Sequence, residues 1–307
     1  MPDSFPDLLT SFANASRFSS KLSSYFADYE LMFSSFRNQK VTIVEIGVLD
    51  GGSLQMWKTF FGPSARVIGV EANPEALNLV AQGFEIYIIN QENANSWRTV
   101  LPTIGNIDIL IDDGGHTSLG QIMTCLETVN FINDGGLIVI EDTHSSFLKE
   151  FGMPSRYSFS NWVSLIEKIL DLQYLNKSEK VSAEVANFAK RIRSITKFRS
   201  MTVFSIHSEL TAPQLVSNQR SISITRNAMY DTKSKIWKFA NLLREASEAN
   251  FQSIGNTNTR FKFLNPLFTG NRKRFIRKLL TPASVLLSFC LYTSSKFSNR
   301  NLAQYFE

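Results

Sequence analysis

Five short β-branched runs dominate the first half of the chain: V-T-I-V-E-I-G (41–47), R-V-I-G-V-E (66–71), F-E-I-Y-I-I-N (84–90), I-D-I-L-I-D-D (107–113) and G-L-I-V-I-E-D (136–142). Segments of helical length and composition, 54–61, 74–82 and 118–132, lie between them. Strands that alternate with helices predict βαβ units with right-handed crossovers, and so a doubly wound, mostly parallel α/β sheet buried on both faces. S-I-T-K-F-R and S-M-T-V-F-S-I-H (194–207) read as a closing antiparallel hairpin. Ahead of the strands, Leu8, Leu9 and Phe12, then Phe26, Tyr29, Met32, Phe33 and Phe36, carry a helical period. The expected organisation is an N-terminal helical segment (1–40), an α/β domain (41–210) and a mainly helical extension (211–307).

Composition narrows the setting. At 307 residues and 43% hydrophobic content the chain can bury a sizeable core. Cys125 and Cys290 sit far apart in apolar contexts, which indicates no disulfide framework and suits a reducing cytoplasm. The start, M-P-D-S-F-P-D, lacks the basic and apolar regions of a secretion signal. Charge is unevenly spread, with 8 Lys and Arg against 18 Asp and Glu up to residue 150, and 24 against 9 beyond it. The acidic half disfavours nucleic acid as a partner. The basic half suits a polyanion, an anionic membrane surface or the acidic half itself. Arg272, Lys273, Arg274, Arg277 and Lys278 precede an apolar stretch of fourteen residues interrupted by Pro282, too short to span a bilayer. Peripheral membrane contact is one reading of that segment; packing on the domain or on a second subunit of a homo-oligomer is the other.

The polar residues of the strand runs collect at one end. In open parallel sheets ligands bind outside the carboxyl ends of the strands, where strand order reverses. Glu45 and Gly47, Glu71, Asn90 and Gln91, Asp112 and Asp113, and Glu141 and Asp142 all fall there. Any one of these acids could instead cap the next helix, Asp112 in particular. E-I-G-V-L-D-G-G-S (45–53) places glycines where the backbone must turn tightly and approach a ligand closely, although the spacing is not G-x-G-x-x-G. Glu45 and Asp50 would repel a pyrophosphate but tolerate a ligand carrying an ammonium and a sulfonium, as S-adenosylmethionine does. Glu71 stands where an acid accepts hydrogen bonds from ribose hydroxyls.

Taken together, V-E-I-G-V-L-D-G-G-S-L-Q-M-W-K-T-F-F-G-P-S-A-R-V-I-G-V-E-A-N-P, I-N-Q-E-N, I-D-D-G-G-H and G-G-L-I-V-I-E-D-T-H-S-S-F resemble the metal-dependent sugar O-methyltransferases of macrolide biosynthesis, the macrocin and mycinamicin type. Cephalosporin-hydroxylase-like proteins share that core. The resemblance covers roughly residues 25–207. It implies a class I, Rossmann-like methyltransferase fold with a seven-stranded sheet, S-adenosylmethionine, and magnesium or another divalent cation. It further implies metal ligation by Asp113, Glu141 and Asp142, a general-base role for His116, and cofactor contacts from Glu45, Gly47, Glu71 and Gln91, with Asp112 beside them. Gly115 departs from the serine usual in D-D-G-S-H, and Asn90 from an acid that often precedes the glutamine.

The chemistry of the residues agrees. Adjacent strands lie about 4.8 Å apart, so neighbouring fourth and fifth strands would bring Asp113 together with Glu141 and Asp142. Three such carboxylates cannot all stay ionised and unpaired cheaply. A hard dication resolves the conflict and keeps positions that a substrate's hydroxyls can take; Lys or Arg side chains from the basic half are the alternative. An unactivated alcohol resists deprotonation about as strongly as bulk water, pKa about 15.7. His116 follows Asp113 closely enough to take the proton as the oxygen attacks a sulfonium methyl. His144 reads as a substrate-positioning or metal-supporting residue, or a cap; His207 has no expected chemistry. The expected partner is a carbohydrate-bearing acceptor: a glycan, glycolipid or glycosylated natural product. A hydroxylase-like enzyme on the same core lacks the two-histidine, one-carboxylate set of non-haem iron sites. A non-catalytic S-adenosylmethionine-binding protein is the third reading.

Overall fold

The alternating runs form the strands of one sheet. In the computed structural model, residues 6–148, 151, 157–173 and 180–207 are described, all inside one compact unit, Met1–Gln214. The extension from 211, with its basic and apolar segments, lies outside the described residues. Seven strands appear among them: β1 (Thr42–Ile46), β2 (Arg66–Glu71), β3 (Glu85–Ile88), β4 (Ile107–Asp112), β5 (Ile132–Ile140), β6 (Ile192–Phe198) and β7 (Met201–Ile206). Their order is β3-β2-β1-β4-β5-β7-β6. β1 to β5 pair in parallel, while β7 runs antiparallel to both β5 and β6. The order reverses between β1 and β4, the switch point at which such sheets bind ligands.

Helices α1 (Leu8–Ala13) and α2 (Tyr25–Phe33) precede the sheet, and α3 (Gly52–Phe61), α4 (Ala94–Ile104) and α5 (Ser118–Thr128) fill crossovers. The 74–82 segment is a 3-10 helix, opened by Pro74 and closed by Gly83 at φ 83°. Beyond β5 come α6 (Phe159–Gln173) and α7 (Ala183–Arg191). Pro102 lies inside α4, a position that masks this helix in a sequence pattern.

Side-chain parity divides the core in two. On β4, Ile109 and Ile111 join the cluster formed with α2 and α3, whereas Leu110 joins the cluster formed with α4, α5 and α6. Val139 and Ile140 on β5 split the same way, as successive strand residues must. Tyr29, Phe33, Trp57 and Phe61 stack around one another on the first face, with Tyr29 and Trp57 centroids 5.2 Å apart. Truncating a ring so buried, such as Phe33, costs about 3–5 kcal/mol. No helix among the described residues is long and apolar enough to cross a membrane.

Candidate active site

Backbone ladders carry the acids one residue past the strands. Gly47 N–H donates to Val70 O, Asp113 N–H to Ile46 O, and Glu141 N–H to Asp112 O, at 2.9, 3.0 and 2.9 Å. Glu45, Asp113 and Glu141 therefore continue the face that carries Ile43, Ile111 and Val139, while Asp112 faces the other way. Gly47 is obligatory at this level. Its φ is 83°, and a Cβ there would fall 2.1 Å from the Asp113 carbonyl oxygen; only a bare α-carbon lets the β1 and β4 turns approach so closely.

Asp112 is buried and holds a loop together. Gln91 Nε2 donates to its Oδ2 at 2.6 Å and Gly114 N–H to its Oδ1 at 3.2 Å, and Gln91 also reaches Thr124 at 3.0 Å. Burial raises the Asp112 carboxyl above its ordinary range against the pull of these donors. Asp112 thus lies beneath the cleft rather than in it. Above it opens a cleft of about 410 Å³, lined by Gly47, Glu71, Gln91, Asp113 and His116 among others. Glu71 accepts from the backbone N–H groups of Val48 (3.0 Å), Leu49 (3.4 Å), Ala72 (2.7 Å) and Asn73 (3.1 Å). It shapes the glycine turn around the cleft, and a carboxylate's remaining lone pairs can still accept from a sugar.

The acids of the second group sort into an inner and an outer set. Inside, Glu45 and Glu141 have fully buried side chains, and Lys21, also fully buried, lies between them. Its Nζ is 2.7 Å from Glu141 Oε1, 2.8 Å from Asp113 Oδ2 and 3.3 Å from Glu45 Oε1. Burial opposes the ammonium, but Glu141, Glu45 and Asp113 outweigh it and raise the Lys21 pKa well above the usual lysine range. Tyr29 OH donates to the same Glu141 oxygen, and Ser53 OH to Glu45 Oε2 at 2.6 Å. A lysine does neutralise part of the acidic cluster, but it comes from the segment between α1 and α2, not from the basic half. Nothing in S-S-K-L-S-S (19–24) distinguishes it from a surface lysine.

Outside, Asp113, His116 and Asp142 bring one donor atom each within 4.8 Å of one another, all partly exposed. His116 Nε2 lies 3.5 Å from Asp142 Oδ2, and its Nδ1 is buried without a partner among the described residues. Both residues adopt left-handed backbone, φ 53° and 51°, a strain that side chains other than glycine tolerate only where surrounding contacts enforce it. Those contacts are visible. Ser145 OH donates to the His116 carbonyl at 2.8 Å. Tyr25 OH lies 2.7 Å from Asp142 Oδ1 and accepts the Asp142 N–H at 3.0 Å. Sequence reasoning missed Tyr25, Tyr29 and Lys21. It expected Glu141, Asp113, Asp142 and His116 together: Glu141 and Asp113 meet at the Lys21 ammonium, and Asp113, His116 and Asp142 draw together on the outer side. His144 contacts Ser200 and stands 3.9 Å from Asp142; His207 is 3.8 Å from Asp134, far along the chain from this group.

The donor chemistry of the outer group fits a hard dication. Two partly exposed carboxylates would hold it with positions to spare, the His116 imidazole beside them.

Sheet order, glycine turn and the acid ending β2 define the class: this is the class I S-adenosylmethionine-dependent methyltransferase fold. The MycE methyltransferase of the mycinamycin pathway, solved with Mg and SAH, superposes with a TM-score of 0.57 at 22% identity, over 66% of this chain and 55% of that one. By sequence the chain is 37% identical over 135 residues to the 8-demethyl-8-α-L-rhamnosyl tetracenomycin-C 2'-O-methyltransferase of Streptomyces olivaceus, covering 41% of this chain and 35% of that protein. It is 32% identical over 136 residues to the mycinamicin VI 2''-O-methyltransferase of Micromonospora griseorubida, covering 40% and 32%. The matched stretch thus spans about a third of the length of these curated relatives. No family model matches the chain.

Proposed function

We propose that the chain is an S-adenosylmethionine- and divalent-metal-dependent O-methyltransferase that methylates a sugar hydroxyl of a glycan, glycolipid or glycosylated natural product. The observation that carries this reading is the convergence of Asp113, His116 and Asp142 at the rim of a cleft whose other wall is the Gly47 turn and Glu71. The names of the partial relatives, all O-methyltransferases of sugar-bearing natural products, support the acceptor class.

In this reading Gly47 and Gln91 shape the cofactor cleft and Glu71 accepts from ribose hydroxyls. Asp113 and Asp142 hold the dication, which would supply Lewis acidity to the acceptor hydroxyl. His116 stands at the same rim, its Nε2 3.5 Å from Asp142. Bound S-adenosylmethionine would supply the methyl group, leaving the carbon–sulfur electron pair on sulfur, and His116 would take the proton of the acceptor hydroxyl. Tyr25 keeps Asp142 in place for this. Holding the reactants in line contributes several kcal/mol more.

The test is methyl transfer from S-adenosylmethionine to nucleotide-sugar, lipid-linked and glycosylated natural-product acceptors, followed by mass, with magnesium and with chelator. The expected result is a product heavier by one methylene on at least one acceptor, lost with chelator and in His116→Ala. Absence of S-adenosylhomocysteine binding by calorimetry would defeat the reading. Binding without transfer to any acceptor, and with no effect of His116→Ala, would mark a non-catalytic binding protein instead.

A further inference from the structure

The start of α5 is tied to the end of β5 by one buried amide. Thr117 caps the helix, its side chain accepting the Gly120 N–H at 3.1 Å, so His116 stands just before the cap and Gln121 one turn into the helix. Side chains in those two places pack on each other at helix starts. Gln121 is 1% exposed. Its backbone N–H donates to the Thr117 carbonyl at 3.0 Å, and its Nε2 donates to the Glu141 carbonyl at 3.1 Å. A carbonyl can only accept, so that bond fixes which amide atom is nitrogen and leaves Oε1 as the acceptor. Oε1 is buried and has no partner among the described residues. His116 presents the complement: its Nε2 lies 3.5 Å from Asp142 Oδ2, and its buried Nδ1 has no partner among the described residues either. Glu141 and Asp142 are consecutive, so the amide and the imidazole border the same dipeptide.

We propose that Gln121 is a positioning residue for His116: its amide oxygen accepts the Nδ1 proton, directly or across one water, and leaves Nε2 as the nitrogen that can take a proton from the acceptor. This rests on the base role given to His116 above. Buried polar groups in folded proteins find hydrogen-bond partners, and a buried acceptor paired with a buried ring nitrogen satisfies both. Neighbouring groups are committed elsewhere. Ser145 gives its O–H to the His116 carbonyl at 2.8 Å, and Asp112 accepts from Gln91 and Gly114. Phe151 packs edge-on against the imidazole, with ring centroids 6.2 Å apart, and offers the ring nitrogen no acceptor. The hydrogen bond made by one imidazole nitrogen decides which tautomer the other presents. A base whose Nε2 faces the acceptor therefore needs its proton held on Nδ1. Because Gln121 also holds the Glu141 carbonyl, one side chain sets both the tautomer of the base and its spacing from the end of β5.

The test reads the tautomer itself. The full chain, isotopically labelled at its histidine ring nitrogens and loaded with S-adenosylhomocysteine and magnesium, gives a long-range proton–nitrogen correlation spectrum at about pH 9, above the ordinary histidine pKa of about 6.5. His116→Ala identifies the His116 signals among the 3 histidines. The expected parent form is Nδ1–H. Gln121→Met keeps the length of the side chain without an acceptor and should lose that form, and Gln121→Glu, which keeps an acceptor oxygen, should retain it. On an acceptor that the parent methylates, Gln121→Met should lower kcat at least about tenfold with KM within about twofold, as loss of an orienting partner does, and Gln121→Glu should recover most of the rate. A parent that carries the proton on Nε2 overturns the proposal, and decides the matter even if neither variant folds. Nδ1–H that persists in folded Gln121→Met overturns it as well, since another group then holds the proton. Methyl transfer that does not depend on His116 defeats the base reading, and the proposal with it, whatever the tautomer.

Discussion

The inner and outer acids sit on one sheet edge, Glu141 and Asp142 as neighbours in the chain, and live under opposite rules. Glu45 and Glu141 are buried, and among the described residues their carboxylates are met by Lys21, Ser53 and Tyr29. Asp142 and His116 are about a quarter exposed; Tyr25 holds Asp142, and His116 lines the cleft. Buried charges must be paired or they shift toward neutrality; burial accordingly pushes the Glu141 carboxyl above the usual carboxylate range while Lys21 pulls it back. The exposed set can leave its partners to be supplied by a ligand. The difference teaches that an acidic cluster is not one environment: depth decides which carboxylates are satisfied from within the fold and which keep lone pairs for a ligand.

Mutation should separate the two sets by readout. The largest effect expected is on activity. His116→Ala should lower methyl transfer by about 10²- to 10⁴-fold, with stability changed by less than about 1 kcal/mol because the residue is partly exposed; steady-state rates and a denaturant melt measure both. The inner set should answer in stability instead. Glu141→Ala leaves Lys21 with one carboxylate fewer in a dry site and should cost about 3–5 kcal/mol, read as a lower denaturation midpoint at unchanged slope. Equal stability losses for His116→Ala and Glu141→Ala would break the distinction.

Gly47→Ala should fall between them, costing about 1–3 kcal/mol for a strained backbone and weakening S-adenosylhomocysteine binding, since the new methyl group must displace the Asp113 carbonyl. The smallest effect belongs to a surface pair that sets the baseline. Arg66 Nη2 and Glu85 Oε1 are 2.5 Å apart with side chains 41% and 35% exposed, and the Arg66 hydrogen bond lowers the Glu85 pKa. A folded-state pKa below the unfolded one adds stability above the unfolded value and loses it as pH falls through the folded one. Glu85→Gln should therefore cost less than about 1 kcal/mol, and the cost should disappear in acid, as melts between neutral pH and pH 3 would record.

Much of this was legible in the chain itself. β1, β2 and β4 fall within a residue of the runs that predicted them, because buried parallel strands need unbroken apolar, β-branched sequence. The acids at the strand ends announced the ligand edge for the same reason: a carboxylate tolerated in such a run must lie where the run stops being buried. The segments at 94–104, 159–173 and 183–191 were not singled out as helices, the first being interrupted by Pro102. Their faces are defined by packing that sequence periodicity records only weakly.

What the sequence alone determined is the sheet and its carboxyl edge, where Asp113, Glu141, Asp142 and His116 were expected, since buried parallel strands leave their polar residues to the ends of the apolar runs. What only the tertiary structure decided is the division of labour among the acids. Lys21 lies 92 residues from Asp113 and 120 from Glu141 in the chain, and no local pattern encodes which lysine will be drawn into a buried site. That choice is made by the packing of α1, α2 and their connection over the sheet edge, where desolvation makes one charged partner indispensable.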